Sequence, residues 1–80
     1  MGRRNNLDIC ADILQVAKGG VNKTGIVYRA NLNFNIVKKY LNNLMENGLL
    51  HKTESRHFIT TEKGVQFLEQ YREFVAPLNK

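Results

Sequence analysis

Residues 33–50 read NFNIVKKYLNNLMENGLL, which is the most regular apolar pattern in the chain. The apolar side chains recur at i, i+3, i+7, i+10 and i+11, the spacing of one face of an α-helix. They are Phe34, Val37, Leu41, Leu44 and Met45. Asn33 can cap the start of this helix, and Gly48 suits the left-handed position that follows a helix end. The stretch therefore predicts a helix over residues 35–47 with one buried face that begins at Phe34.

Two shorter helices are predicted before this segment. Residues 7–17 carry an apolar stripe at helical spacing, with Asn5 or Asn6 as the candidate N-cap. Residues 23–30 follow Val21-Asn22, a pair long enough only for a token strand, whose asparagine can cap the second helix. The side chains expected to be buried are Ile9, Cys10, Ile13, Leu14, Ala17, Ile26 and Val27, with Tyr28 as a further candidate.

A β-hairpin and a last helix are predicted after it. Residues 49–53 and 56–60 have the composition of short strands, with a turn at Glu54-Ser55 between them. Thr61 can cap a final helix over residues 62–76. Its expected buried face consists of Val65, Leu68, Tyr71 and Val75. The order α-α-α-β-β-α, within one domain of residues 1–80, predicts a mainly α winged helix-turn-helix with a small β-hairpin.

Composition narrows the classes of function. The 80 residues include 12 Lys and Arg against 7 Asp and Glu, a net charge of +5 that favours a polyanionic partner such as nucleic acid. Cys10 is the only cysteine, so no disulfide can form within the chain. No apolar run approaches the roughly 18 residues of a membrane span, and we expect a cytoplasmic protein. No nucleophile–base pair, phosphate loop or metal-ligand spacing indicates an enzyme, a cofactor or a small-molecule effector.

Four segments resemble an archaeal winged-helix family. They are residues 23–33 (KTGIVYRANLN), 39–41 (KYL), 47–50 (NGLL) and 58–64 (FITTEKG), the last with the T-x-K-G pattern of that family. The best-known members of the family are small, dimeric, chromatin-associated DNA-binding proteins of Sulfolobus. The resemblance implies a DNA-binding winged helix whose C-terminal helix pairs with its twofold mate, often as a coiled coil. The last helix predicted here is shorter than theirs, which leaves the dimer geometry open.

The candidate DNA-reading surface is the polar face of the third helix. Its residues are Asn35, Lys38, Lys39, Asn42 and Asn43, with Lys38 on the flank. Asparagine can pair with adenine in the major groove through two hydrogen bonds, and lysine can reach guanine or a phosphate. The alternative is that these side chains are ordinary solvated residues of an amphipathic helix. Because this face carries few cations, most of the electrostatic affinity is expected from residues that flank it.

The flanking candidates come from three other segments. They are Lys23, Thr24 and Arg29 on the second helix, Lys52 and Arg56 in the hairpin, and Arg3 and Arg4 in a basic arm of residues 1–6. Such residues suit phosphates or the minor groove. The alternatives are that the hairpin charges only prevent edge pairing and that the arm is a solvated terminus.

The last helix carries more apolar surface than one core-facing stripe needs. Phe67, Phe74 and Leu78 form a second strip beside Tyr71, within a dimerisation helix of residues 61–76. Together with part of the first helix, these residues are the candidate homodimer interface. The alternative is that both phenylalanines fold back on the first helix of the same chain. His51 and His57 could face each other across the hairpin, although a surface pair is commoner than a metal site. Cys10 is expected to be a small core residue, with a redox role as the alternative.

The sequence therefore predicts double-stranded DNA binding by a homodimer that acts as a transcription regulator or a nucleoid-associated protein. The alternative, from another class, is a winged-helix module that binds proteins within a larger complex. The salt dependence of binding distinguishes these two functions. For DNA binding, each phosphate neutralised makes the slope of log K against log salt steeper by about −0.9.

Overall fold

The computed structural model describes residues 5–75 of the chain. Its elements are α1 (Asn6–Val16), a 3-10 turn (Ala17–Gly19), β1 (Val21–Asn22), α2 (Lys23–Arg29), α3 (Phe34–Glu46), β2 (Leu50–Lys52), β3 (His57–Thr60) and α4 (Glu62–Val75). The predicted order of helices and hairpin is confirmed, and the architecture is a winged helix. The token strand expected between the first two helices is a paired strand, which makes the sheet three-stranded.

The sheet is antiparallel with the strand order β1-β3-β2. In this register Phe58 lies opposite Val21 on one side and Lys52 on the other, and its ring is buried beneath the sheet. His51 lies opposite Ile59, whereas His57 lies opposite Asn22 of β1. The expectation that the two histidines face each other across the hairpin is therefore wrong.

Side-chain caps fix where the helices begin. Asn5, Asn22, Asn33 and Thr61 each accept the backbone N–H three residues further on, at 2.8, 2.7, 2.8 and 3.1 Å. The Asp8 carboxylate accepts a hydrogen bond from the backbone N–H of Asn5 in turn, which completes a capping box at α1. Each cap satisfies a donor that the helix itself leaves unpaired, a contribution of about 1 kcal/mol.

The core lies between the three N-terminal helices, the sheet and one face of α4. Its buried apolar residues are Ala11, Ile13, Leu14, Ala17, Val21, Ile26, Val27, Ala30, Val37, Leu41, Leu44, Leu50, Phe58 and Leu68. Cys10 and Met45 are half-buried at its margin. Phe34, expected on the buried face of the third helix, is 50% exposed. That expectation is wrong because Phe34 is the first residue of α3 and lies outside the core, which takes Val37 from α3 and Leu32 from the preceding turn at its margin.

The turn after α3 ties that helix to α4. Gly48 adopts φ +75°, and the N–H groups of Gly48 and Leu49 bond to the carbonyls of Met45 and Leu44 at 3.1 and 2.9 Å. This is the double hydrogen bond of a Schellman motif. Thr61 then donates its N–H to the Leu49 carbonyl at 3.1 Å and its hydroxyl to the Gly48 carbonyl at 2.7 Å. The orientation of α3 is therefore fixed by backbone contacts at its C-terminal end.

The first turn of α4 approaches this loop so closely that only glycine fits at position 64. A Cβ on Gly64 would lie 2.6 Å from the Thr60 methyl and closer still to the Leu49 carbonyl oxygen. The T-x-K-G pattern at residues 61–64 therefore has a steric basis. Its threonine caps the helix, and its glycine lets the helix dock on the loop.

The hairpin turn differs from the two-residue turn expected at Glu54-Ser55. Arg56, expected to begin the second strand, lies in the turn with φ +65°. Thr53 donates its N–H to the His57 carbonyl at 2.8 Å, and Arg56 donates to the Thr53 carbonyl at 3.0 Å. This is a three-residue loop that ends in a left-handed residue. Glu and Ser do not favour the two left-handed positions of a type I′ turn, so the loop takes a third residue.

Candidate nucleic-acid interface

A cleft of about 410 Å³ opens between α3, the β2–β3 hairpin and the start of α2. Its lining residues are Lys23, Lys38, Leu41, Asn42, Met45, Lys52, Arg56 and Phe58. Four of them are cations, and none of the described residues that line the cleft is a carboxylate. The cations come from three elements that are far apart in sequence. The fold therefore gathers positive charge that the linear sequence disperses.

Aromatic rings hold two of these cations in place. The Lys23 ammonium lies 6.0 Å from the centre of the Phe34 ring, and the Lys52 ammonium lies 5.8 Å from the centre of the Phe58 ring. Both distances are within the range of a cation–π contact. Arg56 projects from the left-handed position of the hairpin loop, so the wing presents its charge from a fixed turn. The cleft therefore combines cations with aromatic side chains.

The floor of the cleft is apolar, since Leu41 and Phe58 are buried and Met45 is half-buried. A polyanion bound across the cleft would bring negative charge to all four cations. The arrangement suits a chain of phosphates better than a neutral ligand.

The polar face of α3 divides between two sides of the helix. Lys38 and Asn42 border the cationic cleft, whereas Lys39 and Asn43 border a shallow depression of about 280 Å³ next to α1. Residues i and i+4 lie on the same side of a helix, so Lys38 shares a side with Asn42, and Lys39 shares one with Asn43. The two pairs are about 100° apart around the helix axis, because adjacent residues differ by that angle. The side-chain oxygen of Asn43 already accepts a hydrogen bond from Asn47 at 2.8 Å. Asn42 therefore has the freer amide for a base.

The remaining DNA candidates among residues 5–75 are not part of the cleft lining. Asn35 is exposed on the first turn of α3, and Thr24 is exposed on the first turn of α2. Arg29 ends α2 and lies about 9 Å along the helix axis from its first residue, at a rise of about 1.5 Å per residue. Arg3 and Arg4 lie outside the described residues. The structure therefore brings together five of the twelve candidates named from the sequence.

A family model described as winged helix-turn-helix matches residues 3–77 of the chain. The chain belongs to this winged helix-turn-helix family. A crystal structure of Sso10a-2, a DNA-binding protein from Sulfolobus solfataricus, is similar to it with a TM-score of 0.85 and 28% identity. That similarity covers 95% of this chain and 83% of Sso10a-2. The archaeal resemblance seen in the sequence is thereby confirmed.

An uncharacterized protein of Methanocaldococcus jannaschii, MJ0287, is also similar to this winged helix-turn-helix chain. The two are 31% identical over 78 residues, which cover 96% of this chain and 79% of MJ0287. Both relatives are archaeal, and both are matched over most of their length. The likeness therefore concerns the whole winged-helix domain and not an isolated motif.

In this winged helix-turn-helix protein, part of the apolar strip on α4 is covered by the same chain. Phe67 packs against the core, and its ring stacks on Tyr71 with the ring centres 6.4 Å apart. The Tyr71 hydroxyl donates to the Asp8 carboxylate on α1. Phe74, by contrast, is 70% exposed, and Leu78 lies outside the described residues.

The bond between Tyr71 and Asp8 changes the acidity of the phenol. The hydrogen bond, followed by burial and by the negative charges of Asp8 and Asp12, raises the pKa of Tyr71 to about 12. Arg72 donates to the side-chain oxygen of Gln15, so α4 is joined to α1 at a second place. These contacts hold the winged-helix body together on the side of α1 that faces α4.

Three other features that would bear on function are a reactive thiol, a metal site and a membrane-spanning helix. Cys10 is half-buried beside the core, and burial raises the pKa of its thiol, which disfavours the reactive thiolate. Across residues 5–75, no three His, Cys, Asp or Glu side chains are grouped so that they could hold a metal ion. No helix in the described part of the chain is both long and apolar enough to cross a membrane.

Two features of the surface were not visible in the sequence. The aromatic ring of Phe34 is exposed beside the cationic cleft, although the helical spacing predicts that it is buried. Met45 and Phe58 form part of the cleft floor, although both are typical core residues. One feature of the sequence could have indicated that Phe34 is exposed. Phe34 directly follows the N-cap Asn33 and is therefore at the end of the helix, not at its centre.

Proposed function

We propose that this winged helix-turn-helix protein binds double-stranded DNA, with α3 in the major groove and the cationic cleft on the adjacent phosphates. The observation that carries the proposal is the convergence of Lys23, Lys38, Lys52 and Arg56 on one cleft whose described lining contains no carboxylate. DNA presents closely spaced phosphates, and basic side chains that neutralise them release counterions. Similarity to Sso10a-2, a DNA-binding protein, supports the same assignment.

The proposed contacts are of two kinds, those to base edges, which specify sequence, and those to phosphates, which position the protein. Asn42 and Asn35 lie on α3 and would meet base edges, where an asparagine amide can pair with adenine. Lys39 and Asn43 would contact the DNA on the α1 side of the same helix. Lys52 and Arg56 in the hairpin would hold a flanking phosphate or enter the minor groove.

Further holding contacts are proposed outside the cleft. Thr24 and Arg29 of α2, together with Arg3 and Arg4 of the arm, would add contacts to phosphates, which position a protein without reading sequence. These contacts would strengthen binding to every DNA sequence to a similar extent.

We propose that the protein is a homodimer whose interface centres on Phe74, with Leu78 and the exposed edges of Phe67 and Tyr71. A phenylalanine that is 70% exposed is costly on a domain of this size, because its ring could otherwise be removed from water. Replacing Phe74 by Ser should convert a dimer to a monomer in sedimentation equilibrium at micromolar concentration. A wild-type monomer at that concentration would remove the dimer from the proposal.

The proposed cellular role is that of a transcription regulator or a nucleoid-associated protein in the cytoplasm, and we assign it no catalytic step. Selection from random duplexes followed by sequencing separates these two roles. Enrichment of a defined palindrome indicates a regulator, because a symmetric dimer reads two half-sites. Binding without enrichment indicates an architectural protein that mainly contacts phosphates.

The direct test is fluorescence anisotropy with a labelled random-sequence duplex at about 50 and about 200 mM salt. The proposal predicts clear binding at the lower concentration and a large loss of affinity at the higher one. Absence of binding at low salt would reject it and favour the protein-binding winged-helix module.

A further inference from the structure

The ring of Phe34 lies beside the Lys23 ammonium, yet half of the side chain is exposed to water. Phe34 is the first residue of α3, it is 50% exposed, and it belongs neither to the buried core nor to the apolar residues packed against it. Alanine or a polar residue would serve the helix equally well at this position, because the Asn33 cap supplies the first hydrogen bond.

The surroundings of Phe34 indicate what kind of molecule could cover it. Phe34, Lys38 and Leu41 are residues i, i+4 and i+7 of α3, so the ring lies on the same side of the helix as the cationic cleft. The Lys23 ammonium lies 6.0 Å from its centre. An apolar protein surface placed over this ring would also cover a lysine and strip it of water, which is costly. DNA offers an apolar group and negative charge side by side.

Resting on the proposed DNA binding, we propose that Phe34 contacts the C5 methyl group of a thymine and is a specificity-determining residue. In helix-turn-helix proteins the N-terminal residues of the recognition helix approach the base edges. The thymine methyl is the apolar group that the major groove presents, and phenylalanine is among the residues that contact it. Lys23, beside the ring, then lies close to the phosphates of the same groove.

The test compares two duplexes that differ only in this methyl group. One is an alternating A-T duplex of about 20 base pairs, long enough for two half-sites, and the other has deoxyuridine in place of every thymidine. For each half-site that is contacted, the wild-type protein should bind the deoxyuridine duplex about fourfold more weakly, the change expected for one methyl group removed from an apolar contact. A dimer that contacts two half-sites should therefore lose about 15-fold in affinity. Phe34→Ala should bind the two duplexes with equal affinity.

Two further variants keep the test decisive. Phe34→Gln removes the apolar contact but retains helix-forming character, and it should also lose the preference for thymine. Tyr28→Ala removes another exposed aromatic residue, on α2 and away from the cleft lining, and should keep the wild-type preference for thymine. Thermal unfolding of each variant establishes that the protein compared is folded.

Each outcome decides between distinct statements. Equal binding of both duplexes by the wild type overturns the thymine contact and leaves DNA binding intact. A preference that survives both Phe34→Ala and Phe34→Gln assigns it to another residue and also overturns the inference. Failure of the wild type to bind either duplex at low salt rejects the proposed function itself.

Discussion

Neutralising Lys52 gives a quantitative test of the cationic cleft. If each of the four cleft cations neutralises one phosphate, the cleft contributes about −3.6 per chain to the slope of log K against log salt. Lys52→Gln should reduce that contribution to about −2.7. Between about 50 and about 200 mM salt, the cleft then accounts for a loss of about 150-fold in the wild type and about 40-fold in the variant.

The assay is anisotropy with one labelled duplex at four or more salt concentrations. Lys18→Gln is the matched control, because Lys18 is an exposed lysine in the 3-10 turn after α1 and does not line the cleft. The control should leave the slope unchanged. Equal slopes for Lys52→Gln and the wild type, or a change of the same size in the control, would refute the assignment of Lys52 to a phosphate.

Three other substitutions test individual contacts that stabilise the fold. Gly64→Ala should lower the free energy of unfolding, measured with urea, by about 2–3 kcal/mol, because its Cβ would collide with the Leu49 carbonyl and the Thr60 methyl. Arg56→Gly should raise it by about 0.5–1 kcal/mol by relieving a left-handed arginine, while reducing the salt slope of DNA binding. Tyr71→Phe should lower it by about 1 kcal/mol near neutral pH and abolish a pH dependence above pH 10.

The sign of that pH dependence follows from the raised pKa of Tyr71. Below the ordinary value of 10.0 the phenol is protonated in both states, so the bond to Asp8 contributes fully. Between that value and about 12 the unfolded chain loses its proton first, which favours unfolding, so stability falls as the pH rises. A wild type and a Tyr71→Phe variant with the same pH profile would contradict the bond.

Two other results would contradict the geometry around the cleft. If Gly64→Ala were as stable as the wild type, α4 could not dock as closely on the Leu49 loop as the structure shows. An Arg56→Gly variant less stable than the wild type would mean that the hairpin loop is not strained at this position.

The elements that were predicted correctly are those whose signals are local. The caps at Asn22, Asn33 and Thr61 could be read because a cap depends on a side chain and an N–H three residues away. The buried face of α3 followed from spacing alone, apart from its first residue. Gly48 was placed correctly at the helix end for the same reason.

The features that were missed depend on distant parts of the chain. The exposure of Phe34 depends on where the core ends, which helical spacing does not state. The pairing of Val21 with Phe58 joins residues far apart in sequence. The two-residue strand β1 forms because β3 supplies its hydrogen-bonding partner. The cleft itself is an assembly of three elements, so its cations could be named singly but not placed together.

The most direct test of the central claim is an NMR titration of isotope-labelled protein with a short A·T-rich duplex. If α3 and the cationic cleft bind DNA, the amide shift changes should concentrate at residues 23–24, 34–43 and 52–57. The outer face of α4 should change little. Shift changes that concentrate on α4 or on the exposed face of α1, with the cleft unperturbed, would contradict the account.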